Sequence, residues 1–290
     1  MDNTWLHRYT VIVAAITLLL VIAGGLVTSN NAGLSVPDWP LSYGKLMPVM
    51  QGGVLYEHGH RMIATLVGLL AIGLVIWLWV AEPRRWVAWM GTGALGLVIL
   101  QGVLGGLTVL YLLPKPVSIA HACLAQLFFS MVVAIELVTS RRWRQGAQMV
   151  EGTGRPSLRW AALMVPLCVL AQLLLGAAVR HQASGIIPHI LGAMLVSGVV
   201  LLVGITVLVQ YGTHPALGHA ARVLMTVAFL QVFIGIGAYI SRISVADWFR
   251  PELAMVVLTV AHVAVGALMM AASVLLAIQV LRNVQRPTAV

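Results

Sequence analysis

YEHGHRMIATLVGLLAIGLVIWLWV, residues 56–80, is the stretch whose reading decides the fold. Its last 19 residues carry no charge. A run of that length crosses a bilayer core of about 30 Å as a single helix. Its first six residues hold Tyr56, Glu57, His58, His60 and Arg61, polar groups that are costly to crowd at the mouth of a membrane span. Moving outward, apolar runs recur at roughly 9–29, 60–80, 86–110, 117–139, 158–180, 186–210, 222–240 and 253–281. With 60% hydrophobic and 9% charged residues among 290, little is left for a soluble domain. The expected class is an all-α polytopic membrane protein with eight transmembrane helices.

The formal net charge of +9 invites a nucleic-acid reading, but its distribution does not support one. Eight spans put both termini on one side, together with Arg8, Arg84, Arg85, Arg141, Arg142, Arg144, Arg155, Arg159, Arg222, Arg282 and Arg286. The other side holds Lys45, Arg61, Lys115, Arg180, Arg242 and Arg250. That asymmetry follows the positive-inside rule with both termini cytoplasmic. A nucleic-acid footprint would need a basic face on a soluble domain. The first apolar run is too long for a cleaved signal and lacks a small-x-small site after it, so it counts as the first span. No Arg/Ser-rich transit segment precedes it, which points to a bacterial cytoplasmic membrane. Cys123 and Cys168 fall inside spans, so no disulfide framework is expected.

Two loops stand out. Residues 30–57, on the outer side, are rich in Gly and Pro, and a structureless loop of that length is more often functional than not. Residues 140–158, on the inner side, read as a linker dividing a half at 1–150 from a half at 151–290, each with four helices. Traces of repetition connect the halves: Gln101-Gly-Val-Leu-Gly105 in span three resembles Gln172-Leu-Leu-Leu-Gly176 in span five and Gln231-Val-Phe-Ile-Gly235 in span seven. Such Q-x-x-x-G spacing fits either a pseudo-repeated pair of four-helix bundles or the small-residue packing common to membrane helices.

Nine histidines are present. His7, His214 and His219 lie on the inner side and His181 in an outer loop, where solvated or structural roles suffice. His60, His121, His189 and His262 fall on spans two, four, six and eight, all of which run from outside to inside. All four therefore sit in the outer half of the bilayer. One membrane histidine can simply bond a neighbouring helix, but four at similar depth, two per half, favour ligation. Imidazoles from two helices can hold a haem iron axially, whereas zinc would more often recruit Cys or carboxylate. The spacing expects two haem sites, one in each half. Glu57, His60 and Arg61 share a helical face, so Glu57 could handle protons there and Arg61 could pair with a haem propionate. A plain Glu57–Arg61 ion pair is the competing reading. His58 points away from that face.

The EHGHR stretch, preceded by GGLVTSNNAGLSVPDWP at 24–40, resembles the haem A synthase family over nearly the whole chain. That resemblance implies an enzyme oxidising the C8 methyl of haem O to the formyl group of haem A, for use by terminal oxidases. It implies that His60 and His121 hold the substrate haem, that Glu57 is the catalytic carboxylate, and that His189 and His262 hold a haem b that relays electrons. It also implies haem O synthase and cytochrome oxidase assembly as partners, with the electron donor unspecified. Many bacterial members carry a cysteine pair in the first outer loop; residues 30–57 have none, which sets a thiol route for electrons aside. Asp38 and Trp39 match the loop motif and read as loop architecture. The leading alternative is a di-haem b-type quinol or electron-transfer cytochrome, which usually places its haems on opposite sides of the bilayer. A transporter comes third, since Pro166 is the only proline deep in a span.

Overall fold

The computed structural model describes residues 4–152, 157–243 and 251–285; of the charges counted above, Arg155, Arg250 and Arg286 lie outside them. The helices are α1 (Thr4–Ser29), α2 (Gly53–Ala81), α3 (Arg85–Leu110), α4 (Lys115–Thr139), the one-turn α5 (Arg141–Arg144), α6 (Leu158–Arg180), α7 (Ile186–Tyr211), α8 (Leu217–Ile243) and α9 (Pro251–Asn283). All but α5 are long and apolar enough to cross a membrane, so the eight expected spans are present and the all-α membrane class holds. Leu69, Leu191 and Leu202 point outward, as a chain solvated by lipid requires. Trp5, Trp86, Trp89 and Trp160 are also exposed and mark the span ends nearest the termini, where amphipathic rings sit at a membrane interface. That end of the bundle is here the terminal face, and the opposite end the distal face.

Several helices begin before the expected span starts, α1 at Thr4 and α8 at Leu217 among them, and the difference is largest at α2. Helix α2 begins at Gly53, not near residue 60, so Tyr56, Glu57 and His58 belong to the helix and the preceding loop is shorter. Gly52 sits at φ 54°, a left-handed turn that suits glycine, and a Cβ on Gly53 would collide with Ser35. No breaker follows this glycine pair, so the helix starts as soon as the chain has turned.

Each half closes into a ring of four helices. In the first, α1 packs on α2, α2 on α3, α3 on α4 and α4 back on α1; in the second, α6, α7, α8 and α9 do the same. Helices α2 and α4 therefore face each other across a diagonal, as do α7 and α9. Each ring has its own apolar core: Leu6, Val13, Leu74, Leu78, Phe128 and Ile135 in the first, Val165, Val200, Leu217, Leu224 and Leu276 in the second. A third, smaller cluster of Val21, Phe129, Ala267 and Ala271 joins α1 and α4 to α9.

Polar clamps fasten the terminal face. The buried Glu82 carboxylate accepts from Arg84 at 2.8 and 2.9 Å and from Arg144 at 3.2 Å. Burial acts to raise its pKa, but the Arg84 hydrogen bonds and the charges of Arg84 and Arg144 prevail and hold it below the usual value. Arg159 donates to the carbonyls of Leu281 and Val284, and Arg282 lies over the Trp143 ring at 3.6 Å. His214 is satisfied at both ring nitrogens by the backbone of Gln148, Ala216 and Leu217, a structural role at the start of α8.

Candidate functional site

At the distal face the loop preceding α2 is organised around two side chains of that helix. Glu57, almost fully buried, accepts from the Val36 amide at 2.8 Å and from Arg61 Nη2 at 2.7 Å. Arg61 Nη1 donates to the carbonyls of Asp38 at 2.7 Å and Leu41 at 2.9 Å. One turn of helix thus gathers residues 36–41, with both Nη atoms of Arg61 engaged by the loop and by Glu57. Asp38 accepts from the amides of Tyr43 and Gly44; those bonds and the Arg61 charge hold its pKa low despite some desolvation. Trp39 packs flat against α3, where a Cβ on Gly106 would come within 2.8 Å of its ring. His58 turns to the loop, with Nδ1 2.8 Å from Ser42 Oγ, away from the face of His60.

The four intramembrane histidines share one local geometry. Each ring brings its Cε1 against a glycine of the helix that precedes it in the chain. A Cβ on Gly24 would lie 3.1 Å from His60 Cε1, on Gly105 3.1 Å from His121 Cε1, on Gly176 3.0 Å from His189 Cε1 and on Gly235 2.7 Å from His262 Cε1. A Cβ at Gly235 would clash outright, and at the other three the ring would have to give by a few tenths of an ångström. One turn earlier on three of those helices stands a glutamine. Gln101 Nε2 lies 3.3 Å from His121 Nε2 and donates to the His121 carbonyl at 3.0 Å. Gln172 Nε2 donates to His189 Nδ1 at 2.9 Å and to its carbonyl at 2.8 Å. Gln231 Nε2 is 3.3 Å from His262 Nε2.

The diagonals then bring the histidines together in pairs. The His189 and His262 rings are 6.2 Å apart between centroids, with their planes at 85°. His60 and His121 lie on α2 and α4, the facing helices of the first ring, and His181 lies in the turn after α6. Burial and the neighbouring Arg180 charge lower the pKa of His181. The rings of His60, His121 and His262 each keep one buried nitrogen, Nδ1, without a hydrogen-bond partner. A buried polar atom left so is costly and calls for an explanation such as an absent ligand.

That geometry fits a haem iron. Two imidazole-to-metal bonds of about 2 Å, plus about 1 Å from each nitrogen to its ring centre, span about 6 Å, close to the separation in the second half. Neutral imidazoles in an apolar bundle, with neither thiolate nor carboxylate between them, suit an axially ligated porphyrin better than a bare ion. Among the described residues no cluster of three His, Cys, Asp or Glu forms a conventional metal cage. A cavity of about 270 Å³ opens at the terminal face beside Arg142, His214 and Arg282, and none of the four intramembrane histidines lines it.

The sequence shows the three glutamines only as members of the Q-x-x-x-G pattern. Their spacing to glycine is visible there; their partners across the helix interface are not.

The fold and the site define a class: an eight-span membrane protein with diagonal imidazole pairs at one end of its bundle. Residues 7–188 match the family model of the cytochrome oxidase assembly protein, COX15-CtaA, and the chain belongs to that family. Among its relatives is a heme A synthase of Symbiobacterium thermophilum, 29% identical over 172 residues, which are 58% of this chain and 56% of that protein. Another, from Alkalihalophilus pseudofirmus, is 26% identical over 261 residues, 83% of this chain and 86% of its own. A third, from Shouchella clausii, is 25% identical over 277 residues, covering 86% of this chain and 89% of the relative.

Proposed function

We propose that the protein is a haem A synthase, an integral membrane oxidoreductase that converts the C8 methyl of haem O to a formyl group and so supplies haem A to terminal oxidases. The observation that carries this reading is the His189–His262 pair across one ring of helices, with His60 and His121 on facing helices of the other ring, in a chain of this family. In the reading, the half at 1–150 holds the substrate haem between His60 and His121, and the half at 151–290 holds haem b between His189 and His262. Haem supplies the redox chemistry when bound. The chain's own residues do the rest.

The apolar helices keep water from the macrocycle, and the glycines set the depth and tilt of each imidazole. Converting a methyl to a formyl group involves proton transfer near the macrocycle, and Glu57, one turn from His60 on the same face, is the carboxylate that would exchange protons there. The Val36 amide and Arg61 hold that carboxylate in position, which ties the loop to the site. Arg61 is assigned here chiefly to that coupling. Haem O synthase and the oxidase assembly machinery would stand on either side of the reaction as source and recipient. The basic terminal face is placed in the cytoplasm, and the distal face toward the outside of a bacterial membrane.

The test is extraction of haems from the purified, detergent-solubilised protein, separated by chromatography. Haem B together with haem O or haem A is the expected result. Haem B alone at two per chain would favour an electron carrier, and a haem-free protein would sink both. Glu57→Ala should leave haem O accumulating with little haem A formed, while the haem B content stays at the wild-type level.

A further inference from the structure

The glutamine that accompanies three of the histidines is missing from the fourth. Gly24 meets His60 as Gly105, Gly176 and Gly235 meet their histidines, but the position one turn earlier on α1 is Leu20. The Leu20 backbone carbonyl comes near the His60 ring just as the carbonyls of Gln101, Gln172 and Gln231 come near theirs, so what is missing is the side-chain contact alone. Among the described residues no side chain hydrogen-bonds His60, and its Nδ1 is buried without a partner. The second half has both of its imidazoles held by glutamine; the first half has one held and one not.

Resting on the haem reading above, we propose that the two halves differ by this single contact. His121 is the fixed ligand of the substrate site and His60 is the one that lets go, whereas His189 and His262 stay bound. Gln101 and Leu20 are thus positioning residues that decide which iron can accept a further ligand.

The physical ground is the partner of the second ring nitrogen. An imidazole that binds metal through one nitrogen is oriented by what bonds the other, and loss of that bond typically weakens metal binding by about 10–100-fold. A glutamine amide can serve the ring in either state. Its NH2 donates to a bare ring nitrogen, as it does to His189 Nδ1, and its oxygen can accept from a ring N–H. In all three glutamines that oxygen is buried without a partner. Gln101 and Gln172 also grip the carbonyl of the same histidine, which fixes backbone and ring together. Leucine can do neither. His60 is packed against Gly24 and, unlike the other three, is held by no side-chain hydrogen bond among the described residues. It also belongs to the helix turn that carries Glu57 and Arg61, so a released ring would stay beside the proton-handling carboxylate. A site that must open at one position and a site that must only pass electrons would need this difference.

Replacing each histidine by alanine and measuring haem retention is the direct test. His60→Ala should keep its haem O or haem A, with a high-spin absorption spectrum, whereas His121→Ala should lose about tenfold or more. His189→Ala and His262→Ala should empty haem B to similar extents. Carbon monoxide added to the reduced wild-type protein should bind the haem O or A fraction and spare haem B. Leu20→Gln should cut that binding by about tenfold, and Gln231→Leu should open the haem B site to it. The proposal fails if His60→Ala and His121→Ala lose haem equally, or if carbon monoxide binding is unchanged in both Leu20→Gln and Gln231→Leu. Should Leu20→Gln not fold, Gln231→Leu and the alanine pair still decide the matter. A wild-type protein without haem O or haem A would overturn the underlying reading instead, a result the extraction alone reveals.

Discussion

Gly235 makes the closest of the four glycine–histidine approaches, its missing Cβ 2.7 Å from His262 Cε1. Alanine in a helix interior is ordinarily favoured over glycine by up to about 1 kcal/mol, so Gly235→Ala should strengthen α8 as a helix. At the same time it must push the His262 ring aside. The expected outcome is a protein of unchanged or higher thermal midpoint whose haem B content falls about tenfold, read by pyridine haemochrome on the purified variant. Wild-type haem B in that variant would show that the ring has room to move and that the glycine is only a packing choice. The four histidines are legible in the sequence because an ionisable residue in a long apolar run has few cheap explanations. Gln101, Gln172 and Gln231 are half legible: spacing links each to a glycine, but the partner across the interface depends on helix rotation. Leu20 is illegible by the same logic, since a leucine in a membrane span draws no notice until three glutamines are seen in the equivalent place.

At the scale of elements, the loop before α2 and the turn after it do opposite jobs on one helix. The loop is fastened through Glu57 and Arg61, and its beginning shows in the Gly- and Pro-rich composition of 30–57. Its true end at Gly52 does not show there, because Tyr56, Glu57 and His58 look like loop residues on polarity alone. They are helical because Glu57 and His58 find their partners in the loop itself. The turn after α2 is fastened by Glu82, whose pKa is held below normal by Arg84 and Arg144 against the effect of burial. For a carboxyl lowered on folding, the stabilisation is complete above its unfolded pKa and is lost as pH falls through the folded one. The thermal midpoint in detergent should therefore drop on acidification below about pH 4.5, and Glu82→Gln should flatten that part of the profile. At neutral pH the same substitution should cost about 2 kcal/mol, the worth of hydrogen bonds to a charged group. An acid limb as steep in Glu82→Gln as in wild type would assign the loss to other carboxylates.

For the whole molecule the question is how two rings of helices stay in register. Lipid offers apolar surface as readily as a neighbouring helix does, so membrane helices associate by close packing and by polar contacts. The seam has both. Ala267 and Ala271, four residues apart on α9, let that helix approach α1 and α4 around Val21 and Phe129. Nearer the distal face, Gly25 of α1 admits Val260 of α9 next to the glycine that carries His60. Two polar contacts cross at the distal end: Arg180 Nη2 donates to Ser29 Oγ at 2.7 Å, and Lys115 Nζ to the Gln182 carbonyl at 2.6 Å. Since each ring has its own core, we expect fragments 1–152 and 153–290, expressed together, to assemble and copurify in mild detergent. Ala267→Leu should break that association, because the added side chain falls where α9 lies closest to its neighbours. It should leave haem B in the second fragment, whose ligands both lie on its own ring. If the fragments never associate even with an intact seam, the rings are not independent units. If Ala267→Leu strips haem B as well, α9 is positioned by the first ring, and the division near residue 150 does not describe how the protein is built.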